Sequence, residues 1–213
     1  MDFQEFLRFV PKLIDARLPA FDAHIKMAPL ERLESLRNSS FGDKKPRMAA
    51  VMMLFYPKNN STHLVLIVRN SYEGVHSAQI AFPGGKCEFE DENIACTALR
   101  ETHEEIGIRP DKIEILKQFK ELYILSSNFM VHIFLGICKE ENVFIPQPSE
   151  VAHIIELPLT TFLNEAIVVD EKLSTSYADN ISVPAFKIEE YIVWGATAMM
   201  LNELKEVLKE VLG

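Results

Sequence analysis

Apolar positions fall into two regimes along the chain. Phe3, Phe6, Leu7, Val10, Leu13 and Ile14 recur at helical spacing across residues 3–17. A second, weaker helical stretch is predicted after Pro19, running to about Leu36. The segment NSSFGDKKP, Asn38 to Pro46, is polar and rich in turn formers, so it reads as a connection. Beyond it the period changes. MAAVMMLFY, HLVLIV, FMVHIFLGI, AHIIEL and YIVW are short β-rich runs separated by Pro, Gly, Asn or charged residues. Among them lies a helical segment with one polar face, Glu92 to Ile106, followed by Gly107 as a left-handed cap. In the tail, Met200, Leu201, Leu204, Val207, Leu208, Val211 and Leu212 share one face of a terminal helix. Strands mixed with helices, without regular βαβ alternation, predict an α/β fold with a mixed sheet and helices on its faces.

Composition narrows the partners. The 213 residues suit one large domain, or a domain with an extension. The 22 basic and 31 acidic side chains leave a net charge of −9, which opposes binding to a nucleic-acid duplex. An acidic protein that acts on phosphates has to supply positive charge locally, and a metal ion is the usual source. Cys87, Cys96 and Cys138 make neither an even set nor a close pair, so a reducing compartment is expected and a disulfide framework is not. The opening MDFQEFLRFVPKLI lacks the pattern of a secretion signal, and no run approaches about 18 apolar residues. A cytoplasmic protein with no membrane contact is the expectation.

The richest chemistry lies in the central helix. At about 100° per residue, Glu101, Glu104 and Glu105 fall within an arc of roughly 100°. Ile94, Ala95, Ala98, Leu99 and Ile106 occupy the neighbouring arc and are expected to face the sheet. Carboxylates stacked along one stripe repel, and they crowd the helix end where the dipole disfavours them. A divalent cation relieves that repulsion. Mg²⁺ suits such a set, because it takes hard oxygen ligands, keeps several waters and bridges to substrate phosphates. A solvated acidic face is the other meaning of such a cluster.

Arg100-Glu101-Thr102-His103-Glu104-Glu105-Ile106-Gly107-Ile108 resembles the second half of the Nudix box, R-E-U-x-E-E-x-G-U, in which U is aliphatic. Thr102 departs at an aliphatic position. In the usual box a Gly stands six residues before a Glu that is itself eight before the Arg. Here Glu92 is eight before Arg100 but seven after Gly85, so the loop carries one extra residue. The resemblance implies a Nudix-type α/β/α sandwich over residues 46–213, with residues 1–45 as an N-terminal helical extension. It implies Mg²⁺ or Mn²⁺ held by Glu101, Glu104 and Glu105, with Arg100 orienting a helix carboxylate and Glu92 as its candidate partner. Glu150, before a strand, stands where many Nudix enzymes carry a loop glutamate that reaches the metals; an exposed loop acid is the alternative.

Upstream, LIVRNSYEGVHSAQIAFPGG (Leu66 to Gly85) resembles the added signature of coenzyme A diphosphatases, approximately L-L-T-x-R-[SA]-x3-R-x3-G-x3-F-P-G-G. Leu66, Arg69 and Phe82 to Gly85 fit in register, while Ile67, Asn70, Gly74 and Ala78 depart from it. Gly74 removes a basic group that would face a phosphate. By this resemblance Arg69, His76, Phe82, Gly84 and Gly85 contact the substrate. A strand-end ion pair is the alternative for Arg69, and a surface or core histidine for His76. Lys44, Lys45 and Arg47 form a small basic run that is solvated or phosphate-binding. Similarity to the subfamily continues through Glu121–Gly136 and Trp194–Ala198, with Trp194 open to base stacking or core packing. The implied reaction is metal-dependent cleavage of a diphosphate linkage in a small molecule. Coenzyme A or its derivatives are favoured, with ADP-ribose, dinucleotides or nucleoside triphosphates as alternatives. A non-catalytic ligand-binding module is the reading from another class. Monomer and homodimer are both open.

Overall fold

The computed structural model describes residues 1–28, 45–70, 79–173 and 181–213. His76, Gly74, Ala78 and Lys44 lie outside the described residues. The chain opens with three short helices, α1 (Phe3–Leu7), α2 (Val10–Asp15) and α3 (Phe21–His24). The single helix expected across residues 3–17 is thus two. Pro11 sits in the first turn of α2, where its missing N–H is tolerated, and would break a continuous helix. Of the second predicted stretch, α3 and a 3₁₀ turn (Ile25–Met27) form, and residues from 29 on lie outside the described part.

The main sheet is built on two long strands, β1 (Arg47–Lys58) and β2 (Ser61–Arg69), joined by a hairpin. Asn59 and Asn60 both take positive φ at its tip, the conformation that Asn tolerates and a two-residue turn requires. Two short strands follow, β3 (Ile80–Ala81) and β4 (Gly84–Lys86), then helix α4 (Ile94–Ile106). Strands β5 (Ile113–Gln118), β6 (Leu122–Ile124), β7 (Phe129–Cys138) and β8 (Val151–Pro158) complete the sheet. β7 runs parallel to β1, with Ala50 opposite His132, while the remaining pairs are antiparallel, so the sheet is mixed as expected. β1 pairs with β2 through its last residues and with β4 through Ala49, Ala50 and Val51. The chain then forms α5 (Leu159–Leu163), a small antiparallel sheet of β9 (Val168–Leu173), β10 (Ile181–Ile188) and β11 (Tyr191–Val193), and helix α6 (Gly195–Leu212).

Alternation along β1 sorts the core into two layers. Ala50, Met52, Leu54 and Tyr56 pack with Ala98, Ile106 and Ile108 beneath α4. Ala49, Met53 and Phe55 point the other way, into a larger core with Phe3, Phe6, Leu13, Met27 and the apolar residues of α6. Helices therefore cover both sheet faces, and residues 1–28 share a core with the C-terminal helix. α6 is buried along most of its length and carries two buried charges. Glu203 accepts from His24 Nε2 at 2.8 Å and from the Ala20 N–H at 3.0 Å, while Lys205 donates to the Asn164 carbonyl at 2.8 Å. Cys87, Cys96 and Cys138 are free thiols. Among the described residues no helix is long and apolar enough to cross a membrane.

Candidate active site

Local sequence sets both ends of α4. Asn93 caps the start, its side chain accepting from the Ala95 and Cys96 amides at 2.9 and 3.1 Å. Gly107 ends it in the left-handed region at φ 79°, donating to the His103 carbonyl at 2.9 Å. Thr102, in the aliphatic slot, is fully buried, and its hydroxyl donates to the Ala98 carbonyl at 2.6 Å. That internal bond lets a polar residue occupy an apolar position.

Glu105 is 1% exposed although it is a carboxylate. Oε2 accepts from the Gly84 N–H at 2.8 Å and Oε1 from Arg69 Nη1 at 3.2 Å. Burial pushes its pKa up to about 7; the Gly84 and Arg69 contacts pull it down, and the charges of Glu101 and Glu150 push it up again. Glu101 is raised as well, first by burial, against the opposing pull of Arg100, with Glu104 and Glu150 adding repulsion. Its carboxylate lies where a Cβ on residue 85 would stand, so Gly85 leaves the space that Glu101 fills. Gly84 is constrained from the sheet side, since a Cβ there would collide with the Ala50 carbonyl and Val51.

Arg100 holds the outer carboxylates. Nη1 donates to Glu101 Oε1 at 3.0 Å and to Glu104 Oε2 at 2.9 Å. Its partner on the other side is Asp91 rather than the expected Glu92, through Nε at 2.9 Å and Nη2 at 3.1 Å. Glu92 is exposed. The physical reason is the turn before the helix: Asp91 Oδ2 also accepts from the Glu88 N–H at 2.9 Å and from Thr97 Oγ1 at 2.8 Å, which fixes it over the guanidinium. These bonds hold the Asp91 carboxyl well below the usual range, Arg100 contributing most. The signal was present in the spacing. Counted back from Arg100 the acid falls on Glu92, but counted forward six from Gly85 it falls on Asp91.

Glu150 reaches this region through the loop before β8. That loop satisfies the carbonyls that α4 leaves open at its C-terminus, with the Gln147 N–H donating to Glu105 O and the Ile145 N–H to Ile106 O, both at 3.0 Å. A bulge in the β2–β8 ladder, where Val68 faces His153 and Arg69 faces Val151, lies beside it. The structure thus brings Arg69, Gly84, Gly85, Arg100, Glu101, Glu104 and Glu105 to one end of the sheet, with Glu150 close enough for its charge to act on two of them. Phe82 is placed elsewhere: its ring is 1% exposed in the core layer facing α6, so it packs the core and does not line the site as the sequence suggests. Arg47 stacks on the Phe129 ring at 4.1 Å and donates to the Ser127 carbonyl at 2.8 Å, so it pins the β6–β7 turn. Trp194 precedes α6 and is half-buried.

The carboxylates fit a divalent cation by chemistry. They are hard oxygen donors, and burial with mutual repulsion raises both Glu101 and Glu105, a cost that bound positive charge offsets. Among the described residues no three His, Cys, Asp or Glu side chains converge in ligating geometry. Arg100 and Arg69 draw the carboxylates toward themselves instead.

The NUDIX domain model matches residues 45–175. Nudix hydrolase 15, mitochondrial, of Arabidopsis thaliana is 31% identical over 176 residues, which are 78% of this chain and 60% of that protein. The present chain therefore spans less than two thirds of that plant relative. An uncharacterized Nudix hydrolase NudL from Photorhabdus laumondii is 30% identical over 167 residues, 75% of this chain and 84% of that one. Among solved structures, the Nudix hydrolase RenU from M. Smegmatis superposes with a TM-score of 0.53 at 15% identity, covering 78% of this chain and 87% of its own. That likeness shows the mixed-sheet fold.

Proposed function

Since the chain belongs to the Nudix family, we propose that it is a divalent-metal-dependent hydrolase of the diphosphate linkage in a nucleoside diphosphate derivative, with coenzyme A or its derivatives as the favoured substrate. One observation carries the reading. A buried glutamate, Glu105, accepts from the Gly84 N–H and feels the charges of Glu101 and Glu150, a costly arrangement of the kind that functional sites carry and that a bound cation offsets.

Glu101, Glu104, Glu105 and Glu150 would hold Mg²⁺ or Mn²⁺. When bound, the cation neutralises diphosphate charge and polarises the phosphoryl oxygens. The chain's own residues set the stage for it. Asp91 fixes Arg100, which orients Glu101 and Glu104, while Gly84 and Arg69 orient the two oxygens of Glu105. Arg69 keeps a buried Nε–H with no partner among the described residues, a donor available to a substrate phosphate. His76, in the segment after Arg69, completes the substrate side of the proposal. The match of Leu66, Arg69 and Phe82–Gly85 to the coenzyme A signature supports that substrate, and Gly74 in place of its second Arg weakens the phosphate contact.

The test is to incubate the protein with coenzyme A and, separately, with ADP-ribose at equal concentration with Mg²⁺ or Mn²⁺. Release of 3′,5′-ADP and 4′-phosphopantetheine from coenzyme A, faster than ADP-ribose is cut, is the expected result. Preference for ADP-ribose removes coenzyme A and leaves the diphosphatase chemistry standing.

A further inference from the structure

The turn that carries Glu150 is stapled from two sides. From the helix side, the Glu105 carbonyl accepts the Gln147 N–H at 3.0 Å. Within the turn, the Gln147 carbonyl accepts the N–H of Glu150 at 3.0 Å and of Val151 at 2.9 Å. From the β2 side, a single residue closes both ends of the remaining stretch. The Asn70 N–H donates to the Glu150 carbonyl at 2.9 Å, and its side-chain Nδ2 donates to the Pro148 carbonyl at 2.7 Å.

We infer that Asn70 is a positioning residue for Glu150, fixing the Pro148–Glu150 turn to the end of β2 and with it the place from which the Glu150 carboxylate projects. The inference rests on the proposed role of Glu150 and deepens it. Asn70 immediately follows Arg69, whose guanidinium holds Glu105. Two neighbouring residues at one strand end therefore place two acids that come from elements far apart in sequence. The side-chain amide is the part that depends on residue type. A Ser or Ala, the residues of the coenzyme A signature at this position, would keep the backbone bond and lose or shorten the reach to Pro148. The segment Pro148-Ser149-Glu150 has no regular ladder of its own before β8 begins at Val151, so its hold on Asn70 and Gln147 sets where the carboxylate sits. Displacements on the order of 1 Å at a catalytic group cost up to about a hundredfold in rate.

The experiment is a double-mutant cycle with Asn70→Ala and Glu150→Gln, followed with coenzyme A and ADP-ribose in Mn²⁺, together with amide hydrogen exchange. Asn70→Ala is expected to lower kcat about tenfold or more with KM little changed, and to speed exchange at the Glu150 and Val151 amides. In the Glu150→Gln background the further loss from Asn70→Ala should vanish, because both changes remove one function. Additive losses would overturn the inference, as would normal kinetics per folded molecule with a lowered Tm alone. If Glu150→Gln is itself silent while Glu105→Gln is inactive, Glu150 has no catalytic part and the inference falls with it, although the metal-dependent reading survives. Asn70→Asp, which keeps size, loses the amide donor and turns a charged oxygen on the Pro148 carbonyl, should lose at least as much as Asn70→Ala.

Discussion

Glu105 combines an ionisable carboxyl, almost complete burial and two other acids acting on it, with a Gly amide and Arg69 as its compensations. Glu105→Gln should lower turnover by about a hundredfold or more, the scale of losing one preorganised electrostatic group. Above pH 7 the same change should raise the Tm of the metal-free protein, because there it removes a buried charge that its neighbours repel. Wild-type turnover in this variant would remove Glu105 from the chemistry. Its raised pKa has a sign that can be checked. A carboxyl near 4.5 unfolded and about 7 folded contributes stability that is fully present below 4.5 and is lost as pH rises through 7. The metal-free protein should therefore lose Tm between pH 5 and 7.5 on this account, and added Mn²⁺ should restore more Tm at the upper end, where Glu105 has shed its proton. A Mn²⁺ stabilisation independent of pH in that window would contradict the assignment.

At the scale of elements, α4 and its flanking loops form the unit that holds the acids. Asp91 anchors that unit through Arg100, Thr97 and the Glu88 amide. Asp91→Ala should destabilise the fold by about 1–3 kcal/mol through lost charged hydrogen bonds, whereas Glu92→Ala should stay within about 0.5 kcal/mol. Denaturant unfolding of both variants distinguishes them, and a larger loss from Glu92 would reverse the pairing. Much of this unit was legible in the sequence, because Glu101, Glu104 and Glu105 are close in the chain and helical spacing alone puts them on one stripe. The identity of the Arg100 partner was not, since one extra loop residue made two acids equally eligible and the turn at Glu88–Asp91 decided between them. β1, β2, β7 and β8 were visible as continuous apolar runs. β4 is Gly84-Gly85-Lys86, and β10 carries Pro184 in the middle strand of its sheet, so neither has the composition that marks a strand. The Asn70 contact spans 78 positions and follows no local pattern.

Across the whole molecule, the sheet separates the acidic site from a second core in which the first and last helices meet. Phe3, Phe6, Leu13 and Met27 are each 2% exposed or less. At about 1.5–3 kcal/mol for each such side chain, their burial is comparable with the roughly 5–15 kcal/mol that separates folded from unfolded domains. Deleting residues 1–28 should therefore leave an aggregating or unfolded chain by circular dichroism, even though the deletion touches none of the acids; a folded, active remainder would show that this layer is dispensable. If these acids hold a catalytic cation, cleavage must depend on it. The protein is incubated with a panel containing coenzyme A, ADP-ribose, dinucleoside polyphosphates and nucleoside triphosphates. Mg²⁺, Mn²⁺ or chelator is present in turn, and the products are identified by mass. Cleavage is expected within a phosphoanhydride chain, abolished by chelator and lowered by about a hundredfold or more in Glu105→Gln. Cleavage unaffected by chelator, or intact substrates throughout the panel with either cation, would contradict that role for the acids.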